Sequence, residues 1–266
     1  MAKLCFSTLG CTERSLASVI SLANRYGISA LEVRGLGGEL RNDKISDFLP
    51  ENATETKQAL LAAGIIPLVL GTSVSFHDEK SFDANIAAGK ADMDIARRIG
   101  FSAIRVFGNS IVGDEQECMY RVARGIRELC LAAKGSGVGV WLEVHGEFNT
   151  LSRVLGVAEL CSDLSEFGII WDICHTHAHY AENWRAFYEP LAPYIRHVHL
   201  KDVQSSRHVL LGQGELPITD IVNHLLANGY GGYFSLEWER HWRRELPPVE
   251  DALDSLFTLF STAENK

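Results

Sequence analysis

Several features are missing from this 266-residue sequence. No run approaches the roughly 18 consecutive apolar residues of a membrane span, which argues against a membrane partner. The six cysteines, at 5, 11, 118, 130, 161 and 174, contain no Cys-x-x-Cys pair and are too sparse for a disulfide framework. Reduced thiols in a cytoplasmic protein are the expectation. The opening Met1-Ala2-Lys3-Leu4-Cys5-Phe6 lacks the long apolar region of a signal peptide, and points the same way. Positive charge is short: 25 Lys+Arg face 34 Asp+Glu, a net charge of −9 with histidine neutral. That balance repels nucleic-acid phosphates. No Gly-x-Gly-x-x-Gly follows the first predicted strand, so the dinucleotide-binding fingerprint is absent. With no linker, low-complexity stretch or charge block, residues 1–266 read as a single domain.

What is present is a regular alternation. Apolar runs at 3–8, 30–34, 66–71, 103–107, 138–144, 168–172, 195–200 and 233–238 read as strands buried on both faces. Amphipathic stretches at 13–26, 53–63, 82–99, 115–134, 151–161, 184–188, 218–227 and 248–263 read as helices, several closed by Gly. Eight strand–helix units predict an α/β fold, a single (β/α)8 TIM barrel, over a doubly wound sheet. Residues 35–50 and 201–216 are the longest irregular stretches and read as candidate lid loops.

Barrel active sites lie at the C-terminal ends of the strands. There the sequence places Glu143, Asp172, His199 and Glu237, one on each of four consecutive predicted strands. Uncompensated carboxylates at the ends of apolar runs are costly to bury, and three together repel one another. A divalent cation resolves both problems. Three carboxylates and one imidazole favour Mn²⁺, with Mg²⁺ and Co²⁺ close behind; Zn²⁺ also accepts such ligands. His145 shares the parity of Glu143, and Lys201 continues the parity of His199 toward the mouth. His197 lies one layer deeper and reads as a core histidine. Glu32 and Arg105 on alternate strands predict that Arg105 pairs with Glu32 or orients Glu143. His177 and His179 read as part of a histidine-rich loop. Trp242, among Arg240, Arg243 and Arg244, reads as solvated loop.

The segments Leu142-Glu143-Val144-His145, Trp171-Asp172-Ile173-Cys174-His175, His197-Val198-His199-Leu200-Lys201-Asp202 and Leu236-Glu237 resemble the xylose isomerase-like barrel superfamily. The sugar phosphate isomerase/epimerase group, with D-tagatose 3-epimerases and inosose dehydratases among its members, is the nearest in feel. Arg105-Val106-Phe107-Gly108 and Leu211-Gly212-Gln213-Gly214 are similar to it too. The resemblance implies that Glu143, Asp172, His199 and Glu237 bind the metal and that Glu143 and Glu237 exchange protons with substrate carbon. It implies that His175 lies at the metal or substrate, and that an arginine shortly after strand seven touches substrate, for which Arg207 is the nearest match. His145 and Lys201 are further substrate-binding candidates.

The expected function is therefore a metal-dependent isomerase or epimerase that acts on a sugar or sugar phosphate through an enediolate. The alternative is a metal-dependent dehydratase, a lyase on a keto-cyclitol or related hydroxy-ketone, because loss of a β-hydroxyl starts from the same intermediate. An endonuclease of the endonuclease IV type would need extra histidines after strands three and four, where only His77 lies nearby. A non-catalytic sugar-binding barrel is a fourth reading. The resemblance also suggests a homodimer or homotetramer.

Overall fold

The computed structural model describes residues 2–263. Its centre is a closed parallel barrel of eight strands: β1 (Lys3–Ser7), β2 (Ala30–Val33), β3 (Ile66–Ser75), β4 (Ala103–Phe107), β5 (Gly139–Glu143), β6 (Phe167–Asp172), β7 (Ile195–Leu200) and, after a small hairpin of β8 (Asp202–Gln204) and β9 (Arg207–Val209), β10 (Tyr233–Leu236). β1 closes the ring by pairing with both β2 and β10. Outside lie α1 (Leu16–Arg25), α2 (Ala53–Ala62), α3 (Phe82–Ile99), α4 (Glu115–Ala133), α5 (Leu151–Leu160), α6 (Ile173–Tyr180), α7 (Trp184–Leu191), α8 (Ile218–Ala227) and α9 (Val249–Ala263). The expected single (β/α)8 barrel is what the chain forms. Among the described residues no helix is long and apolar enough to cross a membrane.

Helix ends follow local chemistry. Asp114 caps α4 by accepting the Glu117 N–H at 3.0 Å, which satisfies one of the first-turn donors and places negative charge at the helix N-terminus. Gly100 ends α3 at φ 101°, in the left-handed region open to glycine. On α3, Phe82, Ile86, Gly89, Met93 and Ala96 form a buried stripe at helical spacing. Gly89 lets the neighbouring helix close in: a Cβ there would sit 2.7 Å from Leu129 Cδ1 on α4.

Two separate layers form inside and outside the strands. Cys5, Ala30, Leu68, Val69 and Ile170 fill the lower barrel, with Trp141 packed against them. Trp171 points the other way, stacks on Tyr188 of α7 at 5.4 Å and donates to Thr176. The period-two alternation of a strand makes this division.

Several expectations are corrected. β3 continues past Gly71 to Ser75, because Thr72 and Arg105 bond reciprocally: Thr72 Oγ1 donates to the Arg105 carbonyl at 2.7 Å and Arg105 Nη2 donates to the Thr72 carbonyl at 3.1 Å. His177 and His179 lie on helix α6, not in a loop. Asp172 starts that helix by accepting the Cys174 N–H at 2.9 Å. Residues 35–50 contain two 3-10 turns, Asn42–Lys44 and Ser46–Phe48.

The stretch 201–216 is ordered around one side chain. The Asp202 carboxylate accepts N–H bonds from Val203 (2.9 Å), Gly212 (3.0 Å), Gly214 (3.0 Å) and Leu216 (3.3 Å). Gly214 is required there, since a Cβ would overlap the carboxylate. Hydrogen bonds to a charged group contribute about 1.5–3 kcal/mol each but do not add fully, so Asp202→Ala is expected to cost about 2–4 kcal/mol. Denaturant unfolding measures the loss, and limited proteolysis should show new cleavage within 203–216. Unchanged stability would show that the hairpin is held by its other contacts.

Candidate metal and catalytic site

Four buried side chains converge at the C-terminal rim. Glu143 ends β5, Asp172 ends β6, His199 lies near the end of β7 and Glu237 follows β10. One ligand atom from each lies within 4.8 Å of the others. The structure thus brings together the four residues expected as ligands. They fit a divalent ion on their own geometry. His199 Nδ1 is buried without a hydrogen-bond partner, 3.4 Å from Glu143 Oε1 and 3.5 Å from Glu237 Oε2. Glu143 Oε2 and Asp172 Oδ2 are buried too and make no well-aligned hydrogen bond, each facing a cation instead, Arg105 at 3.1 Å and Lys201 at 2.7 Å. Oxygen-rich sites with one imidazole suit hard or borderline divalent ions.

Glu32 orients this histidine. Its Oε2 accepts from His199 Nε2 at 2.8 Å and from His197 Nε2 at 3.1 Å. With Nε2 so engaged, Nδ1 is turned toward the carboxylates, the carboxylate–histidine arrangement that supports metal ligands. His197 lies one layer below the rim and shares the same oxygen. Burial alone would raise the Glu32 carboxyl, but the two histidines outweigh it and hold it low.

Two cations stand among the acids. Arg105 reaches Glu143 at 3.1 Å, Glu237 at 3.6 Å and Glu32 at 3.9 Å. Both alternatives for Arg105 are therefore present, with Glu143 the nearer partner. Lys201 Nζ lies 2.7 Å from Asp172, Glu237 and Glu239 alike. Burial would lower Lys201, but these carboxylates raise it well above the ordinary lysine range. Against burial, Lys201 and His199 bring Glu237 well below the usual carboxylate range, and Arg105 lowers Glu143. Asp172 differs: burial prevails over Lys201 and pushes it up to about 7. His175 falls to about 4 through burial and the charge of Lys201.

Above the acids lies a cavity of about 170 Å³ whose lining includes Glu143, Glu237, Lys201 and His145. The His145 and His175 rings lie 4.3 Å apart, so both expected histidines stand together beside the site. Arg207 does not join them. Ser205 and Ser206, at φ 49° and 65°, form the two-residue turn of the hairpin, and Arg207 sits exposed opposite Gln204. The next residue, His208, is on the other face, with Nε2 3.8 Å from Glu239. Arg207, expected at the substrate, thus points to solvent and does not line the cavity.

A model of the xylose isomerase-like TIM barrel family matches residues 20–259. The chain belongs to this family. Among sequence relatives of this xylose isomerase-like barrel, fructoselysine 3-epimerase from Escherichia coli O157:H7 is 25% identical over 157 residues, covering 56% of each chain. The Shigella flexneri fructoselysine 3-epimerase is 27% identical over 124 residues, or 44% of each. The matches thus span about half the length of these relatives. Among solved structures, the IolI protein with a bound zinc atom has a TM-score of 0.79 at 20% identity, covering 98% of this chain and 97% of that one. The apo 3-keto-D-glucoside 4-epimerase YcjR of E. coli has a TM-score of 0.77 at 18% identity, covering 98% and 100%. These structures share the xylose isomerase-like fold.

Sequence reasoning did not assign Glu239, Arg34 or Trp242 to the cavity, yet all three line it. Parity was the available signal for two of them. Glu239 lies two residues beyond Glu237, and Arg34 two beyond Glu32. Trp242 lies in the turn after Glu239, where no periodicity applies.

Proposed function

We propose that this protein is a divalent-metal-dependent isomerase or epimerase acting on a sugar or sugar phosphate through an enediolate. One observation carries the reading: Glu143 and Glu237, from strands separated by β6 and β7, flank His199 at the floor of one cavity. Two carboxylates placed on either side of a bound hydroxy-ketone address opposite faces of the same carbon. The similarity to sugar epimerases supports the same class.

Glu143, Asp172, His199 and Glu237 would hold the ion, for which Mn²⁺ is our first choice. When bound, it supplies polarisation of the substrate carbonyl. One glutamate takes the proton from the carbon next to that carbonyl. Return of the proton to the neighbouring carbon gives isomerisation; loss of that proton to solvent and delivery of a solvent-derived proton from the opposite face through the second glutamate gives epimerisation. Arg105 keeps Glu143 ionised, and Lys201 does the same for Glu237 while fixing Asp172 in place. His145 and His175 offer ring nitrogens to substrate hydroxyls. A cytoplasmic location goes with this reading, since all six cysteines are free.

The test is proton exchange. Mn²⁺-loaded protein incubated with a panel of ketoses in deuterated water is expected to return sugar carrying carbon-bound deuterium, detected by NMR. Release of water with formation of a new carbon–carbon double bond would indicate a dehydratase. No exchange across neutral and phosphorylated ketoses would overturn the isomerase reading.

A further inference from the structure

Three cationic side chains line the cavity: Arg105, Lys201 and Arg34. The first two are saturated with carboxylates, as described above. Arg34 is different. It is only 9% exposed, and no carboxylate lies within ion-pair distance of it among the described residues. Its guanidinium is nonetheless firmly held. Nη1 donates to the Leu40 carbonyl at 3.0 Å and Nη2 to Ser73 Oγ at 2.9 Å. Of its five N–H groups, these two bonds account for one on each terminal nitrogen and leave the rest without a protein partner.

The fold makes room for this placement. Gly71, within β3, has no side chain where the arginine passes: a Cβ there would stand 2.8 Å from Arg34 Cδ and 3.0 Å from Arg34 Cβ. Burial and the like charge of Arg105 lower the guanidinium to about 10, which leaves it cationic at neutral pH. A buried charge without a partner is costly and persists where a ligand completes it. A planar fork with free donors matches the two oxygens of a carboxylate or phosphate.

We infer that Arg34 is an anion-binding subsite of the catalytic cavity, and that the substrate is a hydroxy-ketone carrying a carboxylate or phosphate group. The inference rests on the proposed isomerase or epimerase reading and narrows it. The indole of Trp242, 58% exposed, lines the same cavity and supplies apolar surface there.

Calorimetric titration of the Mn²⁺-loaded protein with D-fructose, D-fructose 6-phosphate and D-fructuronate tests it without requiring turnover. At least one anionic ketose is expected to bind about tenfold or more tighter than D-fructose, the scale of one charge-assisted hydrogen bond. Arg34→Gln should abolish that preference while bound Mn²⁺, measured by atomic absorption, is retained. Arg34→Lys should keep part of the preference. Ser73→Ala, which retains the charge and loosens its anchor, should weaken the anionic ketose by a smaller factor, and keeps the inference testable if the arginine variants do not fold. The tighter of the two anions identifies phosphate or carboxylate as the group read. Equal binding of all three ketoses, or a preference unchanged in Arg34→Gln, would overturn the subsite. Arg34-dependent binding without proton exchange would instead overturn the isomerase reading and leave the subsite standing.

Discussion

Replacing Glu237 with Gln is expected to lower kcat about 10²–10⁴-fold, the range contributed by a positioned acid–base group. The same change should weaken Mn²⁺ binding at least about 100-fold, by analogy with the losses seen on disturbing metal sites. Gln keeps the volume of Glu but removes the charge and the capacity to take and return a proton. The surrounding cations retain partners. Lys201 keeps Asp172 and Glu239, and Arg105 keeps Glu143 and Glu32. The barrel should therefore stay folded, which thermal unfolding of the metal-free protein checks. Bound metal and deuterium exchange should be measured on one preparation. Loss of exchange with metal retained would limit Glu237 to proton transfer; unchanged values for both would remove it from the site.

Glu32→Gln is expected to weaken Mn²⁺ binding about 10–100-fold, the usual effect of removing a group that orients a metal ligand. Glu32 Oε2 accepts from two imidazoles at once. An amide can turn its one oxygen to both rings, but it carries no charge and sets its NH2 toward Arg105 at the other position, 3.9 Å away, so both hydrogen bonds weaken and His199 is held less firmly. Excess Mn²⁺ should reverse most of the resulting loss of turnover, which separates Glu32 from Glu237. Glu32→Ala goes further. It leaves both histidines unpaired in the barrel interior and should cost about 3–5 kcal/mol of stability, as when one partner of a buried ion pair is removed. Metal titration and denaturant unfolding read the two effects. An unchanged Mn²⁺ affinity in Glu32→Gln would show that packing alone orients His199.

Much of the architecture was legible because it depends on local periodicity. The apolar runs mark strands buried on both faces, and alternation along each run separates Trp141, inside the barrel, from Trp171, against the helices. The same parity brought Glu143 and His199 to the rim. It failed where order arises from side-chain contacts. Thr72 and Arg105 extend β3 beyond a glycine that reads as a strand end. Asp202 ties the turn at 212–216 back to the start of a hairpin, through four N–H groups, in a stretch that reads as irregular chain. The alternation of that hairpin turns Arg207 outward and His208 inward, and composition carries no trace of it.

By itself, the sequence determined an eight-unit α/β barrel and the four residues that meet at its rim, because strand parity and strand ends are properties of short segments. Only the tertiary structure decided the pairing of charges. Glu32 meets His197 and His199 across 165 and 167 positions of chain, a contact set by closure of the ring between β2 and β7. Closure also gives Arg105 and Lys201 their carboxylates and leaves Arg34 with none. Which cation is satisfied depends on the stagger of strands far apart in sequence, so the unpaired charge that points to an anionic substrate appears only in three dimensions.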